Sequence, residues 1–133
     1  MRETPMRQRV VRILRSLHAV SIENGVGVGT PDVNCSWGWL ELKQVEDWPA
    51  RPETPVRIEH FTMQQKVFHR LRRRAGGNSC VLIHIKGEWF LFHKTSVIKN
   101  LGELTRAEMV AQCDALMTNK NVDELLPQCL NQI

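Results

Sequence analysis

The chain has no run of the ~20 apolar residues needed to span a bilayer. Its first residues form no secretion-type apolar core, because Arg7, Arg9, Arg12 and Arg15 interrupt them. No membrane partner is expected, and a cytoplasmic location is. The four cysteines, Cys35, Cys80, Cys113 and Cys129, never fall into a Cys-x-x-Cys pair and read as buried, reduced thiols. The five histidines are scattered without metal-ligand spacing, which argues against a structural zinc. Gly25, Gly27 and Gly29 are not followed by Gly-Lys-Ser/Thr, so they do not make a nucleotide-binding phosphate loop. Close approach of the backbone to another strand or to DNA explains them better.

The 133 residues are enough for one domain, 1–133, with a real core, and the 42% apolar content is ordinary for a globular protein. Net charge is +4 with a pI near 9.1, an excess that permits a polyanionic partner without requiring one. Its distribution says more. Five arginines lie within residues 2–15, and Arg70, Arg72, Arg73 and Arg74 form a second cluster. Arg9, Arg12, Arg70, Arg72, Arg73 and Arg74 are therefore candidate nucleic-acid contacts. Solvation of an amphipathic face accounts for any single arginine of the first group slightly better than phosphate contact does, and compensation of a helix dipole by the last group is compatible with phosphate binding.

The richest stretch is Gly29-Thr30-Pro31-Asp32-Val33-Asn34, followed at once by Gly38-Trp39-Leu40-Glu41-Leu42-Lys43. Apolar and polar residues alternate on both sides of Ser36-Trp37, as in a hairpin with one buried face. A two-residue loop places Val33 against Leu40 and Asp32 opposite Glu41, with Lys43 on the same face. A three-residue loop with a bulge would turn Glu41 to the other face. Opposed carboxylates at ~4 Å repel by on the order of 4 kcal/mol at an effective dielectric of ~20. A divalent cation bound by both removes that cost, and Lys43 can orient the attacking water and offset charge on a phosphate in reaction. Glu-x-Lys on an exposed strand is otherwise an ordinary charge pair, and Pro-Asp an ordinary turn.

Around this motif the sequence predicts a helix over 4–19, capped by Thr4 with Pro5 at its first position. A strand or extended segment follows over 20–28, with Glu23 as a further candidate carboxylate. A proline-punctuated loop covers 46–61. A second helix opens on the capping box Thr62/Gln65 and ends at Ala75-Gly76-Gly77. Residues 79–86 read as a strand buried on both faces, turning at Gly87 into a partner over 89–92. His84 reads as a packed strand residue. Thr105/Glu108 is a second capping box, opening a helix of about a dozen residues, and 121–133 suggests a short terminal helix.

This order, with Pro31-Asp32, Glu41-Leu42-Lys43, His60-Phe61-Thr62 and Gln64-Gln65, resembles the PD-(D/E)XK nuclease superfamily, and within it the small stand-alone phage and prophage members of the VRR-NUC group. The resemblance covers about residues 20–92. It implies an α/β fold with a restriction-endonuclease-like αβββαβ core over about 4–93, a mixed central sheet flanked by helices, and a C-terminal helical extension over about 103–133. It also implies Mg²⁺- or Mn²⁺-dependent hydrolysis of DNA phosphodiesters, with Asp32, Glu41 and the Leu42 carbonyl as metal ligands, Lys43 serving the water and Gln65 near the site. Similar small members resemble Holliday junction resolvases and tend to be homodimers. Those carry a glutamate in the first helix, whose interior here has none, so Glu23 would substitute or the site would run with fewer acids. The expected function is a phage-type, structure-selective DNA endonuclease acting in a bacterial cytoplasm. The rival is a non-catalytic nucleic-acid-binding or virion-assembly module on a nuclease-like fold, and an RNA-directed nuclease is a third reading.

Overall fold

A computed structural model describes residues 3–23 and 29–133. In chain order it contains α1 (Glu3–Ile13), a 3-10 turn (Arg15–Leu17), β1 (Val20–Ser21), β2 (Val33–Asn34), β3 (Trp39–Val45), α2 (Met63–Arg74), β4 (Ser79–Ile85), β5 (Glu88–Phe92), α3 (Thr95–Ile98), α4 (Arg106–Gln112), β6 (Ala115–Thr118) and α5 (Val122–Gln132). The strands form one mixed six-stranded sheet in the order β1-β2-β3-β4-β5-β6. Among the described residues, only β3 and β4 run parallel, joined by the crossover through α2. The fold is therefore α/β, a mixed sheet flanked by helices.

Alternation along the strands divides the core in two. Leu40, Leu42, Cys80, Leu82, Trp89 and Leu91 face one side, where Val10 and Leu14 of the first helical segment and Leu126 and Leu130 of α5 cover them. Val81, Ile83, Ile85, Phe90 and Phe92 face the other, under Ile98, Leu101, Leu104 and Met109. The loop over 46–61 belongs to this second layer, for Val56 and Ile58 are buried in it. β4, between β3 and β5, is covered on both faces, as its nearly continuous apolar sequence requires. Lys86 and Gly87 both have positive φ, 51° and 82°, which fits the tight turn from β4 into β5.

Several expectations need correction. α1 begins at Glu3, before the expected Thr4 cap, and ends at Ile13, giving way to the 3-10 turn. Of the segment over 20–28, only Val20–Ser21 is a described strand; Asn24, Gly25, Val26, Gly27 and Val28 lie outside the described residues. The C-terminal part is not wholly helical. α4 has seven residues rather than about a dozen, and β6 then adds the sixth strand to the sheet. The open edge of β5 and the burial of Met117 explain that strand. Among the described residues, no helix is long and apolar enough to cross a membrane.

Candidate functional site

The hairpin between β2 and β3 has the two-residue loop. Cys35 and Gly38 exchange both backbone hydrogen bonds, Asn34 pairs with Trp39, and Val33 pairs with Leu40. This register turns Leu40 and Leu42 toward α1 and α5, and Trp39, Glu41 and Lys43 toward the opposite layer.

Asp32 stands just beyond the ladder. Its N–H donates to the Leu40 carbonyl at 3.1 Å, and its carbonyl accepts the Ile22 N–H at 2.8 Å. Its side chain bridges two elements: Oδ2 accepts the Leu42 N–H at 2.9 Å, and Oδ1 faces Arg7 Nη2 at 2.8 Å. Within a strand the N–H and C=O of one residue leave the same edge. The Leu42 carbonyl therefore points to the side of β3 on which Asp32 sits.

Glu41 and Lys43 are 1% and 3% exposed. Lys43 Nζ lies 3.3 Å from Glu41 Oε2, donates to the His60 carbonyl at 2.9 Å, and stands 5.3 Å from the centre of the Phe61 ring. Glu41 Oε1 is buried and has no hydrogen-bond partner. Burial, then the neighbouring Asp32 carboxylate, push the Glu41 pKa up to about 9, against the opposing pull of Lys43. At neutral pH the folded protein thus holds Glu41 as a neutral acid beside an aspartate. The Asp32 carboxylate lies within hydrogen-bonding reach of that acid, while Oε1 meets no protein donor, an arrangement that costs stability unless something completes it.

The first turn of α2 forms the wall of this site. A Cβ on Gly29, whose φ is +82°, would fall 2.4 Å from the Gln64 carbonyl, so only glycine lets the chain pass so close on its way to Asp32. Gln65 spends its side-chain oxygen on the Thr62 N–H at 2.9 Å, completing the expected capping box. Glu23 is exposed and accepts from Ser21 Oγ at 2.9 Å. Ser21 Oγ also accepts from Arg7 Nη1 at 3.3 Å, which links Glu23 to the Asp32 cluster at its rim. The structure therefore brings Asp32, Glu41, Lys43 and the Leu42 backbone together, leaves Glu23 outside, and gives Gln65 a capping role. Among the described residues, no group of three or more His, Cys, Asp or Glu side chains is placed to hold a metal ion; the carboxylates brought together here are Asp32 and Glu41.

The arginines divide between the two faces of the sheet. Arg9, on α1, donates to the Asn119 carbonyl at 3.0 Å and Asp123 Oδ1 at 3.2 Å, tying α1 to α5; Arg12 is exposed. On α2, Arg73 donates to the His93 carbonyl at 2.7 Å and Arg72 lies over Phe68 and Trp39, while Arg70 and Arg74 are exposed. The two clusters do not form one surface.

Sequence reasoning missed Arg7, His60 and Phe61 at the site. Arg7 lies next to buried Met6 at the flank of the α1 stripe, the only local sign of its role. No protein-family model matches the chain, and no curated protein matches it significantly.

Proposed function

We propose that the protein is a divalent-metal-dependent endonuclease that hydrolyses phosphodiester bonds in DNA, with branched DNA as the favoured substrate. The observation that carries this reading is Glu41 Oε1, buried without a partner beside the Asp32 carboxylate and on the same carboxylate as the oxygen paired with Lys43. The residues fit a hard cation: Asp32, Glu41 and the Leu42 carbonyl would hold Mg²⁺ or Mn²⁺. Bound there, the cation supplies Lewis-acid polarisation of a phosphate oxygen and lowers the pKa of water.

This chain's own groups have separable tasks. Glu41 must lose its proton to act as a ligand. Asp32 keeps free lone pairs beside its bonds to Arg7 and the Leu42 amide and would offer one of them to the cation. Lys43, fixed by the His60 carbonyl, offers a positive charge that steadies the attacking water and the charge growing on phosphorus. The element order α1-β1-β2-β3-α2-β4 supports a restriction-endonuclease-like core and a likeness to small phage nucleases. A homodimer would provide paired sites for two strands of a four-way junction.

The rival, a binding module without catalysis, draws support from Arg7, which already neutralises Asp32. Purified protein incubated with Mn²⁺ and either branched or linear DNA separates the two. Wild type is expected to cut, with branched DNA cut faster, and Asp32→Ala to lose cutting. Equal cutting by both proteins removes the assignment. Absence of Mn²⁺ binding in calorimetry, unchanged by Glu41→Gln, leaves the binding module.

A further inference from the structure

α2 has two unlike flanks. It carries five cations and no acid in the sequence Met-Gln-Gln-Lys-Val-Phe-His-Arg-Leu-Arg-Arg-Arg. On one side lies a groove of about 590 Å³ whose floor is Met63, Val67, Phe68 and Leu71, with Arg72 along it. Met63 is 70% and Leu71 50% exposed, large apolar side chains left open to solvent on one helix. The Arg72 guanidinium lies 5.0 Å from the Phe68 ring centre and 5.7 Å from that of Trp39, presenting a flat cation over aromatic rings. The other flank is a groove of about 360 Å³ between α2 and α3, lined by Lys66, Arg70, Lys99, Thr95 and Ser96. Met63 and Val67 line both grooves and form the ridge between them.

We infer that α2 binds an unpaired nucleic-acid strand, its sugar-phosphate chain in the cationic groove and its bases against the apolar one. This deepens the endonuclease reading and rests on it for the strand's route to the site. Charge decides the class of occupant. A second copy laid on this helix would set the exposed Arg70, Arg72 and Arg74 against the same three cations. A polyanion meets Lys66, Arg70 and Lys99 with opposite charge. A duplex offers phosphates but shields its base faces, so it leaves Met63 and Leu71 in water. An unpaired strand offers both the charge and the flat apolar surface, and bases stack on aromatic rings and guanidinium planes.

Continuity with the site gives the strand its path. Phe61 lies between the two regions, with Lys43 Nζ and Lys66 Nζ each 5.3 Å from its ring centre. Lys66 also donates to the Lys99 and Leu101 carbonyls at 3.2 and 2.8 Å, which fixes the gap between α2 and the α3 region. At the other groove, Gln64 touches Gly29, close in the chain to Asp32.

The test measures fluorescence anisotropy in EDTA, where no cutting occurs. The probes are labelled oligothymidylate of about twelve nucleotides, an abasic chain of the same length, and a blunt duplex. Wild type is expected to bind oligothymidylate on the order of ten-fold more tightly than the abasic chain. Met63→Ser with Leu71→Ser should remove that difference. Arg70→Ala with Lys99→Ala should weaken both chains and flatten the salt dependence. All four positions are exposed, and circular dichroism checks the fold of each variant. Equal binding of the abasic chain and oligothymidylate by wild type overturns the inference. So does a Met63/Leu71 variant that changes only the sedimentation coefficient, which gives the face to a second copy. Cutting of branched DNA with Mn²⁺, assayed in parallel, keeps the two proposals distinct. Base-dependent binding without cutting defeats the endonuclease reading alone, and cutting without base-dependent binding defeats this inference alone.

Discussion

Arg7 reaches from α1 to the Asp32 carboxylate, Nη2 to Oδ1 at 2.8 Å, while its Nη1 holds the Ile22 carbonyl at 3.1 Å. One guanidinium thus fastens the first helix, the segment after β1 and the acidic motif. It also places a positive charge where a cation would add another, so the contact stabilises the fold and opposes metal binding.

Arg7→Ala is accordingly expected to destabilise the metal-free protein by roughly 1–2 kcal/mol through loss of charge-assisted hydrogen bonds. The same substitution should tighten Mn²⁺ binding, because Asp32 no longer has a competing partner. Urea unfolding checks the first effect and calorimetry the second. Weaker Mn²⁺ binding in the variant would show that Arg7 orients Asp32 rather than competing for it.

Glu41 sets a pH dependence of definite sign. Its folded pKa, about 9, lies above the model value of 4.5, so between these values the folded state binds more protons than the unfolded. The stabilisation is full below 4.5 and is lost as pH rises through about 9. His69 acts oppositely: burial lowers its pKa from 6.5 to about 4, so its contribution is lost as pH falls through that range. Burial also lowers the pKa values of His84 and His93, with the same sign. Burial also raises the pKa values of Cys80, Cys113 and Cys129 from 9.0, so the window from 6.5 to about 8, below the thiols, is the one that isolates Glu41. There, stability without metal should fall by up to about 1.4 kcal/mol per pH unit. Glu41→Gln should flatten this dependence, as read by urea midpoints at several pH values, and a wild-type curve already flat would contradict the buried acid. Mn²⁺ affinity of wild type should rise over the same window, because a proton must leave for the cation to bind.

Lys43→Met keeps an aliphatic stem against Phe61 and removes the charge. Cutting is expected to fall by on the order of 10²–10³, the loss typical of one stabilising donor at a reacting centre. Mn²⁺ binding should persist, since the carboxylates remain. Single-turnover cleavage at saturating Mn²⁺ measures the effect, and near-wild-type rates would leave Lys43 a purely structural cation.

Gly29→Ala tests the close passage beside α2. A methyl group at positive φ, aimed at the Gln64 carbonyl, should cost roughly 2 kcal/mol. Because the strained segment leads into Asp32, Mn²⁺ affinity should fall with stability. Gly76→Ala is a useful control: its φ is also positive, but no atom lies within 4 Å of the added carbon. Equal losses in the two variants would assign the effect to backbone conformation alone.

Local sequence was informative where local forces decide. Parity selected the register that sets Val33 against Leu40, but the expected single buried face was not found, because Glu41 and Lys43 on the opposite face are buried as well. Thr62/Gln65 and Thr105/Glu108 marked two helix starts, since a cap needs only residues three apart. Contacts made across the chain left no such mark. The depth of Glu41 and Lys43 depends on the layer that contains Phe61 and Ile58. Arg9 is committed to Asp123, more than a hundred residues away. Ala115-Leu116-Met117-Thr118 carries no strong strand preference of its own and is extended by pairing with β5.

The sheet's outermost members are β1, with two residues, and β6, with four. Among the described residues both margins are short, a feature that disfavours the edge-to-edge growth that leads to fibres. Short margins of this kind favour helices and loops over backbone pairing as the surface through which copies of this chain would meet.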